Sequence, residues 1–530
     1  MATVHAPSPV STTPFKNEPM SDFSRPDNAR RMREAIESVR NQLGREYDLV
    51  IGGRRSKTAR KDQSINPARP SEVVGLHQHA GPEQVQPAMD TALRAFERWR
   101  FTSAEERAGL LQRTAAIVRD RKYEFCAWMT FEVGKNWQEA EADVAEAIDF
   151  LEFYSREALR LASAEPPLQW PGERDRLHYL PLGVAIVISP FNFPLAIMAG
   201  MTTAAVVSGN TVVLKPAHDT PTIAAKFFEA LEEAGMPEGV VNFCPGGGSD
   251  FGSGLVRHPQ TRLIAFTGSK EVGLDIHQHA ATPQPGQIWI KRTILEMGGK
   301  DAIIVDADAD LDAALEGVLA SAFGFQGQKC SACSRLILDE KVYEPFVQRL
   351  AERAKQIKIG EPAENYFLGP VVSEGAYKKI LEYIGIGRGE GRLLCGGGPA
   401  QPATGDATGY YIQPTIIADV DRNARIAQEE IFGPVLAVIQ SRNFSDALAI
   451  ANGTEFGLTG AAYSTSREKL DRAMREFHVG NLYLNRKSTG AMVGVHPFGG
   501  FNMSGTDSKA GGPDYLYLFT QAKSIGEKLT

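Results

Sequence analysis

The sequence predicts an α/β protein of two tandem domains, and three features predict it. Its 530 residues exceed what one hydrophobic core serves, since domains run at roughly 150 residues. Short β-branched runs alternate with helical patterns from Val184 to Gly298, and again from "DAIIVD" to about Asn485, as parallel sheets covered on both faces require. The 51 glycines, with 43% hydrophobic and 23% charged residues, suit a globular chain rich in turns rather than a fibrous or disordered one.

In chain order, a Pro/Ser/Thr-rich segment, residues 1–26, reads as an arm or a disordered tail. "ARRMREAIESVRNQLGREY" then has the spacing of an amphipathic helix, and "YDLVIGG" that of a strand entering a turn. From Gln84 to Leu161 apolar positions recur at three and four, which predicts a helical layer. Leu180 to Leu214 lacks any Asp, Glu, Lys or Arg and is long enough to span a bilayer, but Pro181, Pro190, Asn192, Pro194, Gly209 and Asn210 divide it. It reads as buried strand, loop, helix and strand, with no membrane insertion. Further on come "TIAAKFFEALEEAG", "VVNFCPG", "RLIAFTGS", "VGLDIHQHA" and "TILEMGG", then helices near Asp310–Phe323 and Tyr343–Ile357. The last pattern, "DYLYLFTQAK", reads as a short alternating strand, either a local edge or an addition to another subunit's sheet.

Composition removes some function classes. A formal charge of −7 without a Lys/Arg block argues against nucleic acid as a partner. Five cysteines spread over the chain make no disulfide framework and point to a reducing compartment. "MATVHAPSPVSTTPFKNEP" has no apolar core behind a basic start, so a cytoplasmic location is expected, with the mitochondrial matrix second.

The chemistry centres on "FGFQGQKCSACSR", which holds Cys330 and Cys333. A structural zinc site needs four ligands, and Cys126, Cys244 and Cys395 stand alone. A redox pair opens a helix after a strand, whereas here a helical pattern precedes and a strand follows. Inert core cysteine and nucleophile remain. Gly327 and Gln328, which give a turn that admits a substrate, and Lys329, a cation that can lower a thiol pKa, favour the nucleophile. Glu296 in "ILEMGGK" ends an apolar strand before two glycines; partial burial would make it a base for water, and a satisfied structural Glu is the alternative. Asn192 in "ISPFNFP" sits at a strand's carboxyl end, where an amide can donate to an oxyanion or simply form a turn. There is no GxGxxG. "LIAFTGSKEVG" instead runs from a strand through Gly268 and Ser269 into a helix, whose N–H groups favour a pyrophosphate. Lys215 ends a neighbouring strand, within reach of ribose hydroxyls.

Together "SPFNFP", "VVLKPA", "FTGSKEVG", "LEMGGK", "FGFQGQKC", "QEEIFGPV" and "HPFGGF" resemble the signature segments of the aldehyde dehydrogenase superfamily, from about Val50 to the C-terminus. "FEVGKNW", "KRTILEMGGKDAIIVD", "GFQGQKCSACSR" and "GNLYLNRKSTGAMVG" are similar to its branch that oxidises L-glutamate γ-semialdehyde to L-glutamate in proline catabolism. The resemblance implies Cys330 as nucleophile, Asn192 with the Cys330 N–H as oxyanion donors, and Glu296 as the activator of water, with Cys333 a bystander. It implies NAD on Ser189, Phe191, Lys215, Gly268, Ser269, Glu430 and Phe432. The superfamily's Glu three residues after the lysine is His218 here, which would not repel a 2′-phosphate and leaves NADP open. It implies a carboxylate clamp of Ser331, Gly490 and Ala491, aromatic walls Phe191 and Phe498, and Glu132 near the ammonium group; no metal is implied.

The implied fold has a Rossmann-like NAD(P)-binding domain, 27–161 and 180–297, a catalytic domain, 298–495, and an oligomerisation hairpin and strand, 162–179 and 496–530. Homo-oligomers built from dimers follow, with transient contact with a separate proline dehydrogenase. Two other readings stand beside this one: a dehydrogenase of another carboxylate-bearing semialdehyde such as succinate semialdehyde, and a catalytically silent member of the superfamily.

Overall fold

In the computed structural model, which describes residues 10–11, 13–163 and 167–529, a seven-stranded sheet is built outward from Val184–Ile188. Thr211–Lys215 and Val241–Phe243 lie to one side of that strand; Thr261–Thr267 and Arg292–Glu296 lie to the other. These five strands are parallel, and Leu49–Ile51 and Arg54–Ser56 extend the sheet antiparallel. Because chain order reverses between Val184–Ile188 and Thr261–Thr267, their carboxyl ends flank a crevice, the place where open α/β sheets bind ligands.

Side-chain alternation explains why these runs are strands. Ala185, Val187 and Leu214 enter a core with Ala199, Ala204 and Ile148, whereas Val184, Ile186 and Val213 enter another with Met89, Leu255 and Ile276. Both faces are covered, so nearly every position is apolar. A second seven-stranded sheet runs Arg392–Cys395, Thr415–Ala418, Val435–Ser441, Arg335–Asp339, Ala302–Val305, Thr459–Tyr463 and Asn481–Leu484, parallel apart from its first pair. Here Ile303 and Val305 pack with Phe346, and Ala302 and Ile304 with Ile380 and Phe444.

The helical layer is dominated by Trp137–Ala162. Asn136 Oδ1 caps it by accepting from Glu139 N at 2.9 Å, and it packs on Ala104–Asp120 and Ala196–Val207. Asp143 ties it to the first sheet: one carboxylate oxygen accepts from Ala196 N at 2.6 Å and the other pairs with buried Lys135 at 2.7 Å. Among the described residues no helix is long and apolar enough to cross a membrane.

Two places differ from expectation. Lys61–Asn66 and Arg69–Gln78 form, with Arg45–Tyr47, a three-stranded sheet that patterning did not indicate. "DYLYLFTQAK" is not one strand. Tyr515–Phe519 is a 3₁₀ turn, because Tyr515, Leu516 and Phe519 are all buried, with the Tyr515 ring stacked on Tyr154 at 5.6 Å; alternation would have exposed part of that set. The strand begins at Thr520 and pairs antiparallel with Glu173–Pro181 of the same chain, from Thr520 opposite Pro181 to Lys528 opposite Glu173. Of the two readings of the N-terminal segment, its described residues form an arm laid against the helical layer; residues 1–9 and 12 of that expectation, residues 164–166 of the expected hairpin, and Thr530 lie outside the described residues.

Candidate active site

Cys330 is presented by a strained turn. Helix Leu311–Phe323 ends at Gly324, after which Phe325, Gln326 and Gly327 stand at φ +49°, +56° and +65°. Left-handed backbone costs an L residue roughly 1 kcal/mol or more, so the surroundings must hold it. Phe325 is buried with Lys135 Nζ 4.7 Å over its ring, Gln326 Nε2 donates to the carbonyls of Gly134 and Pro370 at 3.2 and 3.0 Å, and Gln328 Oε1 accepts from Val372 N at 2.9 Å. A Cβ at Gly327 would lie 2.3 Å from the Gly433 carbonyl oxygen. Of the five cysteines, Cys330 is the one not fully buried. Cys333 is 1% exposed and donates to the Arg335 carbonyl at 3.4 Å.

Two cavities meet at Cys330, sharing it with Thr267 and Met297. The larger, about 920 Å³, occupies the crevice past the first sheet and is lined by Ser189, Phe191, Asn192, Lys215, Gly268, Ser269, Glu430 and Phe432. Its chemistry fits a dinucleotide. Lys215 is buried, its amine bonded to the Pro216 carbonyl at 3.2 Å, and burial lowers its pKa to about 8, so it keeps N–H groups for hydroxyls. Helix Lys270–Ala281 turns its N-terminus to the cavity behind Ser269, whose hydroxyl accepts from Val272 N at 3.4 Å. A Cβ at Gly268 would strike the Phe266 ring at 2.4 Å. Glu430 is oriented by Gly299 N at 2.9 Å, and Phe191 meets Phe432 edge-on at 5.6 Å. His218 stands apart: it does not line this cavity, its side chain is 61% exposed, and its ring faces Asp219 at 3.5 Å, which raises its pKa.

The smaller cavity, about 440 Å³, is lined by Ser331, Gly490, Ala491, Phe498 and Glu296. Burial raises the Glu296 carboxyl to about 8, against the lowering effect of the Ser508 hydroxyl and Lys509; Oε1 accepts from Ser508 Oγ and Oε2 is buried without a partner. Three expected contacts are not made. Phe191 faces the larger cavity, and Phe193, two residues on, lines the smaller. Lys329 Nζ is paired with Glu139 at 2.7 Å, so it does not activate the thiol; burial, then Asp301 and Glu430, push the Cys330 pKa well up. Glu132 points away from both cavities. It accepts from Ser64 Oγ at 2.7 Å and from Thr222 N and Ile223 N at 2.7 and 2.8 Å, capping helix Pro221–Glu233 from a neighbouring helix.

Glu132→Ala is therefore expected to cost about 1–3 kcal/mol of stability, leaving buried helix N–H groups unbonded, with the substrate KM unchanged. Thermal unfolding beside steady-state kinetics checks this, and a raised KM with an unaltered Tm would return Glu132 to the site.

Of the acids that line the smaller cavity, Glu18, Glu139, Asp149 and Glu296 each accept a hydrogen bond from another side chain, those of Arg119, Lys329, Asn17 and Ser508 respectively, whereas Glu146 is raised to about 8 by burial and then by Asp143. It lies on the face of Trp137–Ala162 that also turns Ala142, Ala145, Asp149 and Phe150 to the cavity. The sequence signal for it was a carboxylate between Ala145 and Ala147 on an apolar helix face. Among the described residues no group of three or more His, Cys, Asp or Glu could hold a metal ion.

A dinucleotide crevice and a smaller, largely apolar cavity that meet at one partly exposed thiol are the arrangement of a dehydrogenase that oxidises an aldehyde on cysteine. The model of the aldehyde dehydrogenase family matches residues 54–525, and the chain belongs to that family. It is 57% identical, over 97% of its length and 99% of the relative's, to the 1-pyrroline-5-carboxylate dehydrogenase of Geobacillus thermodenitrificans. A solved 1-pyrroline-5-carboxylate dehydrogenase from Thermus with bound NAD is similar at TM-score 0.95 and 52% identity, covering 98% of this chain and 100% of that one. Proline utilization A from Bdellovibrio bacteriovorus is similar at TM-score 0.95 and 44% identity, and there the match covers 54% of the longer chain.

Proposed function

We propose that the chain oxidises L-glutamate γ-semialdehyde, the open form of 1-pyrroline-5-carboxylate, to L-glutamate in proline catabolism, with NAD as the acceptor. The observation that carries this reading is the placing of a few polar groups in the otherwise largely apolar wall of the smaller cavity: Ser331, Gly490 and Ala491, whose hydroxyl and backbone donors suit an α-carboxylate, and Glu146, whose carboxyl suits an ammonium group. Succinate semialdehyde would leave Glu146 without a partner. The relatives at 57% and 52% identity carry the same activity in their names.

In this reading the Cys330 sulfur bonds to the aldehyde carbon, its proton leaves to solvent, and the oxyanion of the thiohemiacetal is held by the Asn192 amide and the Cys330 N–H. Lys215, Ser269 and Glu430 hold the ribose and diphosphate parts of NAD, which when bound supplies the hydride acceptor. Once hydride loss from that carbon has left a thioester, the ionised Glu296 takes a proton from the water that attacks the thioester carbon, the carbon–sulfur bond breaks, and the proton on Glu296 returns to the sulfur. No carboxylate at position 218 opposes a 2′-phosphate, so NADP is a second acceptor to test. The protein is read as a cytoplasmic homo-oligomer built from dimers through the ribbon Glu173–Pro181 and Thr520–Lys528. The likeness to about half of proline utilization A supports transient contact with a separate proline dehydrogenase.

The test is NADH formation with L-1-pyrroline-5-carboxylate beside succinate semialdehyde and propanal, with NAD and NADP each supplied. A preference for the first is expected, and activity confined to the others would discard the amino-acid clamp. Ser331→Ala and Glu146→Gln are each expected to raise KM for the amino-acid substrate about tenfold, since a hydrogen bond to a charged group contributes about 1.5–3 kcal/mol. Glu146→Gln should leave succinate semialdehyde unaffected; equal losses on both substrates would remove Glu146 from the ammonium site.

A further inference from the structure

The N-terminal arm enters the smaller cavity, which no reading of its composition suggested. Glu18 and Met20 line the same space as Cys330, Ser331 and Glu146. Asn17 Nδ2 spends both N–H groups at that wall, one on Asp149 Oδ2 at 2.8 Å and one on the Val493 carbonyl at 2.9 Å. Glu18 N fills the other oxygen of Asp149 at 2.6 Å. Asp149 lies one helical turn beyond Glu146, and Val493 closes the loop that carries Gly490 and Ala491.

That loop is shaped to receive the arm. Gly494 is left-handed at φ +75°, and a Cβ there would stand 3.1 Å from the Phe15 ring; Phe15 itself meets Phe153 edge-on at 5.2 Å. Further along, the arm is pinned by Arg119 on Glu18 at 2.8 Å, by Lys122 on the Pro19 carbonyl at 3.0 Å and by Glu141 on Ser21 N at 2.8 Å. A segment held at so many points can transmit position. Backbone N–H donors bind a carboxylate well only when the loop that bears them is fixed in advance. Gly490 is exposed and left-handed, at φ +81°; Arg486 on the Thr489 and Gly490 carbonyls and Ser321 on Ser488 N hold the loop before Ala491, and Asn17 holds it at the Val493 carbonyl beyond.

We propose that the arm is a fixed wall of the substrate site and that Asn17 is a positioning residue for the Gly490–Ala491 clamp, making the enzyme selective for aldehydes that bear an α-carboxylate. This rests on the function proposed above. Asn17 does not line the cavity and reaches the Cys330 chemistry through the clamp, so its loss should separate substrates that use the clamp from those that do not. A merely structural arm would affect them alike.

The experiment compares wild type with Asn17→Ala and Asn17→Asp on L-1-pyrroline-5-carboxylate and on propanal, and adds inhibition by L-glutamate. Asn17→Ala should raise KM for the first and the inhibition constant of L-glutamate about tenfold, equivalent to about 1.4 kcal/mol, with kcat within about twofold and propanal kinetics unchanged. Asn17→Asp should do more, because its carboxylate faces Asp149 and cannot donate to Val493. Met20→Trp, at a 52% exposed position, perturbs the wall without touching these bonds and should lower kcat/KM for the amino-acid substrate about tenfold. Unchanged KM in the Asn17 variants, or equal losses on both aldehydes, overturns the inference; if those variants do not fold, wild-type kinetics in Met20→Trp overturns it. Failure of wild type to turn over L-1-pyrroline-5-carboxylate would sink the proposed function and this inference with it, whereas an active wild type with insensitive variants sinks this inference alone.

Discussion

Cys330→Ala should remove NADH formation altogether, a loss on the order of 10⁴-fold or more as for other enzymes stripped of a covalent nucleophile, while Cys333→Ser should keep most of it. The asymmetry follows from position. Cys330 is the most exposed of the five cysteines and lies where the two cavities join; Cys333, three residues on, is enclosed in the core of the second sheet. A serine hydroxyl can make the bond that the Cys333 thiol makes to Arg335, so that exchange should cost about 1 kcal/mol of stability. Lys329 is neutralised by Glu139, and burial, then the carboxyls of Asp301 and Glu430, push the thiol pKa well up. The resting state is therefore the protonated thiol, and thiolate must form at the moment of attack. Both variants are read by NADH absorbance against a thermal-unfolding control. Residual turnover in Cys330→Ala above about a hundredth of wild type would mean another nucleophile; loss of turnover in folded Cys333→Ser would mean the pair acts together.

The features legible in the sequence were those whose cause is local. Apolar runs such as "VAIVIS" and "TVVLK" are strands because both faces of the sheet are buried, and the loops at their carboxyl ends could be located from the glycines, prolines and asparagines that follow. The misread residues are those whose partner lies far along the chain. The resemblance puts Glu132 near the ammonium group, but its partners are the amides of Thr222 and Ile223. Lys329 looks like a thiol activator until Glu139 is folded against it. Phe191 and Phe193 have the same type and flank the same Asn192, and only the course of the loop decides which faces which cavity. Glu146 was hidden because helical periodicity treats an acid among alanines as a blemish rather than a contact. In "DYLYLFTQAK" the alternation was real, but burial of Tyr515, Leu516 and Phe519 together outweighed it.

Glu296→Gln should yield one rapid equivalent of NADH per site followed by turnover slowed about 10²–10⁴-fold, the range of a lost general base. Glu296 closes the strand Arg292–Glu296, with its carbonyl accepting from Gly268 N at 3.0 Å and the next amide, Met297 N, donating to Ser504 at 2.8 Å, so its backbone is fixed between the two cavities. Glutamine keeps the shape and can still accept from Ser508 Oγ, which makes the variant a test of proton transfer rather than of folding. Burial holds the wild-type carboxyl near 8. Only its ionised form accepts a proton, so the hydrolytic rate should climb with pH, about tenfold per unit below that value, and level above it; the glutamine variant should lose this limb. Rapid mixing across a pH series reads both effects. A normal steady state in Glu296→Gln would remove this residue from catalysis. A variant with neither burst nor turnover would move its proton transfer to the first half of the reaction, where the buried thiol of Cys330 also needs a base.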